Sequence, residues 1–330
     1  MSIFFNDETP IIAVVENRIK LNLDHAIDFA PKPRSKRTYG ITIKYYQDGN
    51  EELAKRLDYQ IHLQVNQFRD ESKTWQLCFD KTDLFIDRHE PDFVSEQLAS
   101  MAMSAIYPVK VDVNAKNEIF RGIVNHGEIL NRWKQVAEKM SDKYEGKYAE
   151  LYVEKMGKKI SDRFELENAL RADMFWNVFF HPQYLKYDGN LSQQSTLFFP
   201  VIAYKNMAFE GVKSVEPNYT DYGTFKVNFS SESELTEEQK MQMEQKGILK
   251  MKLNATCDLD QDGGLLKHAR VDWNLYKKEK GQEISIKRIA FSAYEIKSSI
   301  PATDQQLLIQ EENNDFPLEK KKGFWARVLG

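Results

Sequence analysis

Leu249-Lys-Met-Lys-Leu-Asn-Ala-Thr-Cys-Asp258 alternates without an error: Leu249, Met251, Leu253, Ala255 and Cys257 in one phase, Lys250, Lys252, Asn254, Thr256 and Asp258 in the other. Residues 268–275 repeat the pattern, with Ala269, Val271, Trp273 and Leu275 set against His268, Arg270, Asp272 and Asn274. Successive side chains of a strand point to opposite faces, so both stretches belong to a sheet with one dry and one wet face. Parallel sheets are covered on both faces, which makes antiparallel pairing the expectation.

The same period runs outward from this pair. Tyr39, Ile41, Ile43 and Tyr45 share one face of a strand, as do Tyr59, Ile61, Leu63 and Val65 of the next, and Trp75, Leu77 and Phe79 mark a third. Val109, Val111 and Val113 alternate with Lys110, Asp112 and Asn114, and the polar turn at 115–117 returns the chain as a hairpin through 118–124. Strands resume at 196–204 and 222–229 and continue to about residue 296. Near the end Ile284 and Ile286 lie in one phase while Ile289, Phe291 and Ala293 lie in the other, so a β-bulge is expected near Lys287-Arg288.

Helical spacing interrupts the strands. It covers residues 92–104, 129–140 and 148–156, the last ending at Gly157 as its cap, and a helix over 161–180 stops before His181-Pro182. Thr236 and Gln239 form a capping box that opens a short helix. The fold class is therefore α+β: extended antiparallel sheet, curved or half-barrel, with helices packed on one face. Three strands, a short helix and a returning hairpin recur, which suggests two similar βββαββ halves joined by central helices. Five segments follow: an N-terminal part with a basic linker (1–37), a first sheet (38–125), a helical middle (126–192), a second sheet (193–298) and a flexible tail (299–330).

The 330 residues, 42% hydrophobic and 29% charged, suit a globular protein, and a net charge of −4 offers no electrostatic attraction for nucleic acid. No stretch approaches the length of a membrane-spanning helix and the start lacks a basic, apolar leader, so a cytoplasmic location is expected. Cys78 and Cys257 read as reduced thiols.

No motif for catalysis, a metal or a cofactor emerges. Asp258-Leu-Asp260-Gln-Asp262-Gly263 opens like a calcium loop, but Ala269 stands where the bidentate Glu belongs, so it reads as a hairpin turn. His89-Glu90 and His126-Gly-Glu128 are acid–imidazole pairs that read as loop and helix-cap residues, with a hydrolase of unnamed substrate a remote alternative. Two features point to binding. Phe175, Trp176, Phe179, Phe180, Phe198 and Phe199 form the densest aromatic patch, readable as a core plug or as the lining of an apolar groove. At the C terminus Lys320, Lys321, Lys322, Phe324, Trp325, Arg327, Val328 and Leu329 form a basic–aromatic peptide suited to docking on a protein and, more weakly, on a membrane surface. The expected function is that of a non-catalytic protein-binding protein, an adaptor, chaperone or assembly component. The alternative is a carrier of a lipid or other apolar small molecule.

Overall fold

The computed structural model describes residues 29–47, 53–115, 120–181, 191–202, 205–245, 247–261 and 263–296. The alternating stretches become β1 (Lys36–Gln47), β2 (Leu53–Arg69), β3 (Thr74–Ile86), β4 (Val109–Asn114), β5 (Phe120–Ile123), β6 (Ser192–Ile202), β7 (Lys205–Val215), β8 (Thr224–Glu234), β9 (Lys250–Asp260), β10 (Leu266–Glu279) and β11 (Gln282–Ile296). They form one sheet in the order β5-β4-β3-β2-β1-β11-β10-β9-β8-β7-β6, and β5 and β6 are its two unclosed ends. Six helices accompany it. α1 (Val94–Ile106) links β3 to β4, and α6 (Glu237–Gln242) links β8 to β9. Between β5 and β6, α2 (His126–Lys143), α3 (Lys147–Ser161), α4 (Arg163–Arg171) and α5 (Met174–Phe179) carry the chain from one edge to the other.

Each run of strands is an antiparallel meander, and the two are stitched by the pairing of β1 with β11. Gly40 sits opposite Tyr294 in this ladder, and a Cβ on Gly40 would lie 2.5 Å from the tyrosine ring, so the absent side chain lets the ring lie flat across the join. At one end of the join Arg37 bridges Asp260 and Glu295, and Lys267 meets Glu295 at 2.7 Å. The cations of the expected linker thus include one that belongs to the sheet. The bulge lies where the phase change places it: Leu275 pairs with Lys287 and Tyr276 with Ser285, leaving Ile286 as the extra residue of β11.

The dry face is continuous. Met251, Leu253, Val271, Trp273, Leu275 and Phe291 are enclosed, as are Ile61, Leu63, Leu77 and Phe79 across the join. The opposite face is covered by polar side chains that satisfy one another. Thr42 donates to Asp58, Arg56 forks onto Asp58, Arg288 onto Asp272, and His62 bridges Thr38 and Thr82 at 3.0 Å each. Such cross-strand pairs hold the register of a sheet whose other face is buried.

Two expectations about helices need correction. The helix that was to end at Gly157 runs through it to Ser161, and the indole of Trp133 on α2 stands 3.3 Å from where a Cβ would be. The glycine is there for close helix packing, not for a left-handed cap. The single helix expected over 161–180 is two, α4 and α5, each capped by an aspartate. Asp162 accepts from the amides of Phe164 and Glu165, and Asp173 from those of Phe175 and Trp176. The Thr236–Gln239 capping box forms as expected, with both reciprocal bonds present.

α5 sits over the middle of the dry face. Phe175 and Phe179 lie 6.0 and 6.2 Å from the Tyr39 ring of β1, and Phe79 of β3 packs edge-on against Phe179 at 5.3 Å. Trp176 packs on Phe79 at 4.9 Å and on Phe120 of β5 at 5.7 Å, and its indole N–H donates to the Tyr107 hydroxyl. Replacing Phe179 with Ala should therefore lower stability by about 3–5 kcal/mol. Phe198→Ala, on the exposed side of β6, should cost less than about 1 kcal/mol. Denaturant midpoints of the two variants against the parent check the contrast.

Candidate functional site

The aromatic patch divides in two. Phe175, Trp176, Phe179 and Phe199 are buried and Phe180 is half-buried, all within the core, while Phe198 points the other way and is 51% exposed. The inner surface is filled beneath α5. A small space beside Val178 and His181, lined also by Leu197, Phe229, Cys257 and Val271, has a volume of about 10 Å³, the size of one water. The C-terminal peptide, Lys320 to Leu329, lies outside the described residues.

The other residue pairs singled out by sequence have separate local partners. His126 contacts the Ile160 carbonyl at 2.8 Å, whereas Glu128 is held by Lys110 and Asn125. His89 forms a backbone bridge with Ile86. Asp260 is engaged by Arg37, and its backbone closes the β9–β10 hairpin through bonds with Leu265 and Gly264. Among the described residues no group of three or more His, Cys, Asp or Glu side chains could hold a metal. No helix among them is long and apolar enough to cross a membrane.

Polar groups do enter the dry side at both ends of α5. At its start, Lys81 approaches Asp173 at 3.6 Å and lies over the Tyr59 ring at 3.8 Å. Burial pushes the Tyr59 hydroxyl well above its ordinary range, with the Asp173 carboxylate adding to the effect, so it stays protonated. At its end, His181 is buried with Nε2 lacking any hydrogen-bond partner. Burial first, and then the nearby Lys213 ammonium, hold its imidazole well below 6.5. Lys213 itself is fully enclosed on the inner face of β7, opposite Gln193 of β6, whose side-chain nitrogen is also buried without a partner.

Gln193 and Lys213 belong to the strand pair that forms the most distinctive surface of the molecule, the outer edge of β6. The two ends of the sheet are treated differently. At β5, α4 caps the edge: Glu167 accepts from the Ile123 amide at 2.8 Å, and Arg171 donates to the Phe120 carbonyl at 3.3 Å. At β6, among the described residues, no hydrogen bond reaches the outer side. The register shows which groups are unpaired. Val215 donates to the Leu191 carbonyl, and β6 and β7 pair so that 192 meets 214, 193 meets 213 and 199 meets 207. In an antiparallel ladder hydrogen-bonded pairs alternate, so odd-numbered residues of β6 bond to β7 and Ser192, Gln194, Thr196 and Phe198 turn their N–H and C=O outward. Pro200 follows at the irregularity that shifts the register between Phe199 and Ile202, a position where a missing N–H is tolerated.

Residues 191–202 contain no charged side chain. Edge strands ordinarily carry charge, bulges or cover that discourage pairing. Here the side chains beside the open edge are Gln194, Thr196 and the exposed Phe198, with Thr196 donating to Glu210 of β7 at 2.9 Å. The alternation pattern does not reveal β7 (Lys205–Val215) or, with it, the position of β6 in the sheet.

No family model matches the chain, and no curated protein matches it. Among solved structures, one of lipovitellin, described for its lipid–protein interactions, is similar at 10% identity with a TM-score of 0.43, over 82% of this chain and 26% of that one. The chain spans about a quarter of the length of that structure.

His181 generates a prediction. Its pKa is depressed on folding, so as pH falls below 6.5 the unfolded chain takes up the proton first. Native stability is full above that value and declines as pH drops toward the folded pKa, with a slope approaching about 1.4 kcal/mol per pH unit from this residue. His181→Leu should flatten the loss of stability between about pH 7 and pH 5, measured by denaturant unfolding across that range.

Proposed function

We propose that the chain is a non-catalytic protein-binding protein, an assembly component that associates through the β6 edge by strand addition. The observation that supports this is the asymmetry of the sheet: the short β5 edge is capped by α4, whereas the long β6 edge has outward N–H and C=O groups, no charge and an exposed phenylalanine. An extended strand laid along that edge would satisfy backbone groups on both chains, while Phe198 gives it an apolar contact.

The second reading, a carrier of an apolar small molecule, draws on the largely apolar inner face of an unclosed sheet. With about 10 Å³ free beside α5, that reading requires the helix to lift away and expose the aromatic surface. Native mass spectrometry separates the two, since a carrier retains a bound mass when purified gently.

Thr196→Lys tests the first reading. Lysine at this position sits opposite Glu210, so the strand keeps a favourable neighbour while its edge gains a charge. The variant should keep its circular dichroism spectrum and melting temperature, yet lose at least one protein captured by the parent chain. Tyr148→Lys, on the exposed surface of α3, should lose none. Identical partner sets for the parent and the Thr196→Lys variant would remove the proposal.

A further inference from the structure

We infer that the strand seated on β6 is β6 of a second copy of this chain, so that one antiparallel sheet runs through a two-fold dimer. The inference rests on the strand-addition reading and names its partner. Three features of the edge carry it.

The first is register. Ser192, Gln194, Thr196 and Phe198 present their backbone groups outward, and the midpoint of that stretch is Ser195, whose own groups are spent on β7. A two-fold axis at Ser195 places it opposite its symmetry mate in a non-hydrogen-bonded pair. Ser192 then faces the second copy's Phe198, and Gln194 faces the second copy's Thr196. Every outward N–H and C=O from Ser192 to Phe198 finds a partner, and the ladder ends where Pro200 has no amide to offer. All the paired side chains stay on their proper faces, because a shift by an even number of residues preserves the pleat.

The second is charge. Like charges directly opposite one another oppose self-pairing. Residues 191–202 carry none, and the Glu210 carboxylate beside them accepts from Thr196 within its own copy.

The third is closure. Pairing β6 with β5 of another copy would be head-to-tail and would extend without limit. The side chains of Glu167 and Arg171 already occupy β5 backbone groups, which closes that route. Pairing like edge with like leaves no free edge of this kind, so the assembly stops at two. Gln193 adds a detail: its side-chain nitrogen is buried without a partner on the edge strand itself, next to where the second copy would lie.

Sedimentation or light-scattering measurement of the full chain tests this. The expected mass is twice 38.6 kDa at high concentration, falling toward the single-chain value on dilution. Thr196→Lys and Phe198→Lys should each give the single-chain mass at every concentration with unchanged secondary structure. Hydrogen exchange at the Gln194, Thr196 and Phe198 amides should slow at least tenfold in the concentrated parent and not in the variants. A parent that stays monomeric with fast exchange at those amides overturns the inference, and so does a dimer that persists in both variants. A monomeric parent that still captures another protein, and loses it with Thr196→Lys, would sink the two-fold pair while leaving the strand-addition reading standing.

Discussion

The structure depends on one contact, the seating of α5 on the dry face of the sheet. An open antiparallel sheet with one apolar face is unstable until that face is covered. α5 is six residues long, too short to persist by itself, and its helical form comes from the Asp173 cap and from packing. What it brings is reach. Its aromatic rings meet Tyr39 of β1, Phe79 of β3 and Phe120 of β5, and Val178 borders the space lined by Leu197, Val227, Ala255 and Val271. Strands from both meanders therefore share one plug. Each buried large side chain contributes on the order of 1.5–3 kcal/mol. Four or five of them on so short a helix outweigh any single pairing in the sheet.

The cover is complete toward β5 and thins toward β6. On the β5 side, aromatic rings close around α5, and α4 side chains reach over the edge backbone. On the β6 side, the plug ends at His181, and the dry face takes in Lys213 and Gln193. Buried polar groups weaken packing unless fully satisfied, and His181 Nε2 and Gln193 Nε2 are not. The covered β5 edge and the open β6 edge thus differ in packing as well as in exposure.

Much of this architecture is legible in the residues. Strict alternation in β9 and β10 reports the sheet and its buried face, and the phase change in β11 reports the bulge. The nearly all-round apolar character of 174–180 reports a helix that has to be enclosed. β7 was not legible, because its polarity is inverted where it matters: Lys213 lies inside and Val212, 44% exposed, lies outside. The division between α4 and α5 was hidden because helical periodicity continues through Ala172-Asp173 while the backbone does not. The edge position of β6 left a trace, a proline and no charge within a strand pattern, but a trace of that kind says nothing about which strands stand beside it. That β6 and β5 are the two ends follows from the β1–β11 pairing, which joins the first and last strands and which no local pattern encodes. The terminal peptide, Lys320 to Leu329, lies outside the described residues, so the proposed association rests on a different feature, the open β6 edge.

The geometry of the β6–β7 ribbon supports the proposed association at this edge. Val212 to Val215 pair with Val227 to Ser230, but nearer its turn the ribbon leaves β8, with Ser231 donating to the Glu210 carbonyl at the point of departure. Its inner face is held by Leu197, Phe199, Met207 and Phe209, and its tip by Asn206, which bonds Asn177 and the Arg171 carbonyl. A ribbon attached along so short a ladder is among the first parts of a sheet to open, because few backbone bonds oppose the motion. A strand added to its free side supplies hydrogen bonds that β8 does not, and binding restricted to the closed ribbon stabilises it by mass action. The short ladder that attaches this ribbon is therefore the feature that would gain most from the proposed partner, and binding there would couple the order of the ribbon to assembly.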